Sequence, residues 1–203
     1  MKLLSSALVA ALLVTGSAQA QQWDKNRGER AQDRREIRTD RRELRDDRRD
    51  VAELEEVLAR FDRAWSRQDE REMTSVESRL RELLRAELNE SRIELEKDKR
   101  EVRRSTREVR RDSRWGRGDD RRDRRDDIKD TRVEAATLQT RMAIARELNW
   151  VMGNRNYADL QRERNLIVQL IQVAKYEVQQ TKQELREDRQ ERREDRRESR
   201  QRW

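Results

Sequence analysis

The sequence predicts an all-α protein: two tandem helical hairpins forming an antiparallel four-helix bundle or coiled coil with long charged stems. Three observations lead there, namely a seven-residue repeat, a scarcity of helix breakers and an uneven spread of apolar residues. The phrase Asp33-Arg34-Arg35-Glu36-Ile37-Arg38 returns as Asp40-Arg41-Arg42-Glu43-Leu44-Arg45 and again as Asp47-Arg48-Arg49-Asp50-Val51. One apolar residue therefore recurs every two helical turns. Further copies start at Asp98, Asp120 and Asp195, some with Arg or Ser in the apolar slot. With 47% charged and 32% hydrophobic residues, composition alone describes a disordered polyampholyte. The fixed register, the absence of proline and the presence of only five glycines argue for helices instead, because disorder needs no register.

The first segment differs from everything after it. Lys2 precedes an apolar run from Leu3 to Val14, followed by Gly16 and Ala18-Gln19-Ala20, the pattern of a cleavable secretory signal over residues 1–20. The run is short for a bilayer span and no second one follows, so no transmembrane segment is expected after cleavage. The expected localisation is exported, periplasmic or secreted. Lack of cysteine excludes disulfides, thiol chemistry and lipid attachment at the cleavage site.

Beyond the leader, residues 21–114 read as hairpin 1, residues 115–118 as a glycine-containing joint, and residues 119–203 as hairpin 2 with its charged C-terminal helix. Helices are expected near 27–66, 70–113, 119–151 and 156–201. Gly116 and Gly118 mark the joint and Gly153 the second turn. The first turn is fainter, with Ser66, Asp69 and Thr74 as capping candidates. Parallels such as Arg41 to Asp50 with Arg121 to Asp130 suggest duplicated halves, although biased composition produces similar matches by chance.

Apolar residues crowd beside the two turns. Leu54, Leu58, Phe61 and Trp65 precede the first and Val76, Leu80, Leu83, Leu84 and Leu88 follow it; Ala135, Leu138, Met142, Ala145 and Leu148 precede the second, and Leu160 to Val178 follow it. A core near the turns is expected, with sparse stems running roughly 30 Å further at 1.5 Å per residue. Trp65 and Trp150 are expected to close that core. Trp23, Trp115 and Trp203 fall at the start, joint and end of the mature chain, where they cap stem ends or form an aromatic patch for a partner.

With Leu44 at heptad position a, Asp40 and Glu43 fall at d and g, whereas Arg38, Arg41 and Arg42 fall at b, e and f. Each stem thus carries an acidic and a basic stripe. Parallel neighbours would set acid against base, but antiparallel neighbours set like against like. The hairpins demand antiparallel neighbours, so the stems either splay, approach a diagonal parallel helix, or take the complementary stripe from another molecule.

The inventory narrows chemistry. No histidine and no cysteine are present, which removes nitrogen or sulfur metal sites and histidine-based acid-base catalysis. The acid pairs Asp46-Asp47, Asp119-Asp120 and Asp126-Asp127 sit among competing arginines, without a glycine-centred calcium loop. No catalytic residue, cofactor or metal is expected, and the protein is read as a non-enzyme. Arginine outnumbers lysine 44 to 7, and 50 bases face 44 acids once Lys2 leaves with the leader.

The leading expectation is a non-enzymatic exported helical scaffold of the cell envelope that pairs with itself or a protein partner through charged heptad stripes. The alternatives are a periplasmic holding chaperone for unfolded clients and a protein that binds polyanions or anionic lipid surfaces, with nucleic acid an unexpected target for an exported chain. Candidate contact residues are Asp40, Arg41, Glu43, Arg45, Asp195, Arg196 and Glu198, with Trp23, Trp115 and Trp203.

Overall fold

A computed structural model describes the backbone over residues 7–111 and 117–201, and side chains over 35–110, 121–193 and 196–197, with 36, 108, 122, 123 and 191 excepted. Four helices follow one another: α1 (Ala7–Arg67), α2 (Glu70–Arg111), α3 (Arg117–Val151) and α4 (Tyr157–Gln201). No strand occurs among the described residues. The bounds match the sequence expectation closely, except that α1 begins inside the apolar leader. Of the glycine joint, residues 115 and 116 lie outside the described residues, and Arg117 and Gly118 already belong to α3.

The turns form where local chemistry stops each helix. Gln68 adopts φ 54° and its amide returns to Trp65 O at 3.1 Å, while Asp69 N reaches Ala64 O at 3.0 Å. Asp69 then caps α2, accepting the Glu72 amide on Oδ1 at 3.0 Å. Thr74 instead bonds back to Glu70 O at 2.9 Å, one turn inside the helix. At the second turn Gly153 has φ 90°, and Asn156 Oδ1 caps α4 by accepting the Asp159 amide at 3.0 Å. A Cβ on Gly153 would meet nothing within 4 Å, so the backbone angle and not space requires glycine there.

Helices joined by these turns form the hairpins, and the bundle further pairs α1 with α4 and α2 with α3. The chain divides into two compact units: residues 1–48 with 177–203, and residues 49–176. This division follows packing, whereas hairpin boundaries follow the turns.

In the 49–176 unit the core gathers Leu54, Val57 and Phe61 from α1, Val76, Leu80 and Leu84 from α2, Ile144 and Leu148 from α3, and Leu160, Ile167 and Leu170 from α4. Ion pairs mark its antiparallel registers. Asp62 receives Arg164 through two bonds of 2.8 and 3.0 Å, and Glu55 meets Lys175 at 2.6 Å. On the other pair, buried Arg141 bonds Ser91 Oγ and reaches Glu87 at 2.5 Å. The smaller unit buries Ile37 from α1 with Val178 and Leu185 from α4, and Thr181 donates to Asp47 at 2.7 Å.

The expectation that both mid-chain tryptophans close the core holds for one. Trp65 is partly buried, packing edge-on to Phe61 with ring centroids 6.0 Å apart. Trp150 is 79% exposed, because its place on α3 lies off the line through Leu148 and Val151 that faces the core. Met142 is likewise exposed, at 39%.

Phe61 is 0% exposed at the centre of this core. Phe61→Ala is expected to cost about 3–5 kcal/mol, read as a lowered denaturant midpoint with an unchanged slope.

Candidate functional site

In the 1–48 and 177–203 unit, antiparallel pairing brings like stripes together as the heptad analysis anticipates. Asp40 faces Asp188, with Glu43 and Glu184 adding negative charge nearby. Burial chiefly, then the hydrogen bond to Asp188, pushes the Asp40 carboxyl up to about 7. Protonation of Asp40 would turn that repulsion into a hydrogen bond. The predicted conflict is therefore present at this point.

On α1 the acids of this seam turn inward and the arginines stay outside, while on α4 Glu184 and Glu187 remain exposed. On α1 within this unit, Arg35, Arg38, Arg41, Arg42, Arg45 and Arg48 are exposed; among the acids whose side chains are described there, Asp46 is exposed, while Asp40, Glu43 and Asp47 are half-buried. None of Arg38, Arg41, Arg42, Arg45 and Arg48 forms an ion pair with a described residue. The six arginines span roughly 20 Å at 1.5 Å per residue. On α4, Arg186, Arg189, Arg193 and Arg197 lie along one stripe and, with Gln190, line a shallow hollow of ≈ 430 Å³.

Of the candidates drawn from sequence, Arg41, Arg45 and Arg196 are exposed, and Asp40 and Glu43 turn toward the seam. The side chains of Trp23, Asp195 and Glu198 lie outside the described residues, as do Trp115 and Trp203 entirely. Asp188 and the α4 arginines Arg186, Arg189, Arg193 and Arg197 were not singled out by sequence reasoning. Placing Leu185 at heptad position a would have found Asp188 at d, the counterpart of Asp40.

Acids also cluster in the 49–176 unit. The Asp98 carboxyl is raised by burial first, then by Glu101, with Asp130 and Asp127 contributing from α3. Glu163 is 0% exposed and neither of its oxygens has a hydrogen-bond partner. Its pKa is pushed up to about 7 by burial first and then by the Glu77 carboxylate, against the weaker pull of Arg155 and Arg81. Glu77 is itself held by Gly153 N at 3.1 Å and Arg155 at 2.7 Å, which ties the second turn to α2. These acids do not converge as ligands: no group of three or more is placed to hold a metal ion among the described residues.

A third feature of this unit is a groove of ≈ 470 Å³ between α3 and α4, lined by aliphatic, hydroxyl and amide side chains with Tyr176. Near the turns, exposed Tyr157 stacks obliquely on Trp65, with ring centroids 5.6 Å apart. No described helix is long and apolar enough to cross a membrane. The fold and these features define the class, an antiparallel bundle of charged helical hairpins. Comparison with protein-family models, curated proteins and solved structures finds no match.

The pH dependence follows from the sign of the shifts. A carboxyl whose folded pKa lies above its ordinary value contributes stability that is full below that ordinary value and lost as pH rises through the folded one. For Glu163 the window runs from 4.5 to about 7, worth about 3 kcal/mol as an order of magnitude. Melting should fall between pH 5 and pH 8, and Glu163→Gln should flatten that fall. In the stem, Asp40→Asn should hold helicity constant over the same range where the parent chain frays, as measured by circular dichroism.

Proposed function

We propose that the protein is a non-enzymatic exported helical interaction protein of the cell envelope, periplasmic in placement, which engages polyanionic surfaces through the arginine face of its α1·α4 stem. The carrying observation is the sorting of charge on the α1 side of the stem: Arg35, Arg38, Arg41, Arg42, Arg45 and Arg48 are exposed, Asp46 is the one exposed acid among the α1 side chains described there, and Asp40, Glu43 and Asp47 are drawn toward the seam. A sequence whose charges nearly cancel along its length becomes a surface whose charges do not cancel across its width. Guanidinium groups fork onto phosphate and carboxylate, which suits anionic lipid head groups or envelope polymers.

The same sorting weakens self-pairing through stripes as the working mode. Two copies meeting along α1 would set arginine against arginine, since among the α1 acids described there all but Asp46 lie half-buried at the α1·α4 seam. An acidic partner of another kind satisfies the same chemistry as a lipid head group, and the arms of the test separate them.

Sedimentation with phosphatidylglycerol vesicles is expected to carry the protein down at low salt, phosphatidylcholine vesicles to leave it behind, and heparin to compete. Replacing Arg38, Arg41, Arg42 and Arg45 together by Gln should lower the salt needed for release, with the logarithmic salt slope falling by about one for each contact removed. Equal retention of parent and variant on both vesicles and heparin would exclude the arginine face.

A further inference from the structure

The 49–176 unit has two lateral seams between helices joined by a turn, and they differ in chemistry. Between α1 and α2, Arg60 bridges to Glu72 at 2.8 Å, and two turns further along Arg79 bridges to Glu53 at 2.6 Å. Between α3 and α4, Arg162 meets Glu147 at 2.8 Å, the counterpart of the first bridge. Continuing that antiparallel register sets Thr140 across from Gln169, Thr137 across from Gln172 and Val133 across from Tyr176. No counterpart of the second bridge can form there, because these residues carry no charge.

The ≈ 470 Å³ groove occupies this stretch. In a chain of which 47% is charged, none of its nine lining residues is Asp, Glu, Lys or Arg. Val133, Ala136, Ile144 and Val173 supply aliphatic surface, and Thr137, Thr140, Gln169 and Gln172 supply hydroxyls and amides. Tyr176, 55% exposed, stands at one end.

We propose that this groove docks an uncharged apolar segment of an incompletely folded polypeptide from another protein. Aliphatic side chains of that segment enter between α3 and α4, and its backbone amides meet Thr137, Thr140, Gln169 and Gln172. Charge selects the occupant. A charged segment entering the groove would lose hydration and find no counter-ion. The exposed stem faces of a second copy are rich in arginine, and two copies meeting groove to groove would oppose hollow to hollow. Extended backbone needs the groove's donors and acceptors, whereas a formed helix has already satisfied its own. The site is independent of the arginine face and adds a client-binding activity to it.

The test uses the full chain and a neutral, end-capped, fluorescently labelled peptide of leucine, alanine and threonine. Fluorescence anisotropy should show saturable binding that high salt leaves unchanged. Ala136→Arg and Gln172→Arg, both at exposed positions, should each weaken binding about tenfold with helicity and melting preserved; Arg41→Gln should not alter it. If Ala136→Arg misfolds, Gln172→Arg carries the test. Absence of saturable binding, or binding that folded groove variants do not weaken, overturns the proposal. So does a concentration-dependent dimer in sedimentation equilibrium that Gln172→Arg abolishes, which would assign the groove to a second copy.

Discussion

Antiparallel pairing of helices that repeat the same charge phrase is the constraint on which the stem depends. Reversing one helix against its neighbour sets like heptad positions face to face, so acidic stripes meet whenever the apolar lines meet. Asp40 against Asp188 is that collision in the α1·α4 stem. The apolar line fixes the register because burying Ile37, Val178 and Leu185 outweighs what exposed charges can contribute. Charges then adapt to the register, by a raised Asp40 carboxyl at the seam and by leaving the α1 arginines on the outside.

The larger unit meets the same constraint with more apolar mass. Beside the turns, acid meets base across the paired helices, as Asp62 with Arg164 and Glu55 with Lys175 on one pair and Glu87 with Arg141 on the other. Farther from the turns, acid again faces acid, and Asp98 with Asp130 and Asp127 is the mark of it. Glu163 is the exception within the dense region. A fully buried carboxyl without a hydrogen-bond partner is tolerable when neutral, which ties the bundle's stability to pH.

Charge sorting and the neutral groove are two consequences of one economy of surface. Where the outer faces of the helices take the arginines, a region free of charge stands out by contrast. The α1·α2 seam is closed by Arg60 and Arg79, while the α3·α4 seam has Thr and Gln at the same depth and stays open. The two faces therefore differ in chemistry, guanidinium charge on α1 of the stem and aliphatic, hydroxyl and amide groups in the groove.

How much of this was legible in the sequence depends on the range of the interaction involved. Four helices, their bounds within a few residues, the turns near Asp69 and Gly153 and the apolar gathering beside them could be read from period, capping and composition, because those are local properties of the chain. The like-charge conflict was legible too, since it follows from heptad position and direction alone. The partner of each helix beyond its own hairpin was not, nor was the exposure of Trp150, the burial of Glu163 or the uncharged groove facing Gln169 and Gln172. Each of these depends on which residue from a distant helix arrives at the same depth, and that is set by packing the whole apolar surface at once. Sequence alone determined the helices and the colour of their stripes; tertiary structure decided which stripes faced inward, because only burial distinguishes one side of a helix from another.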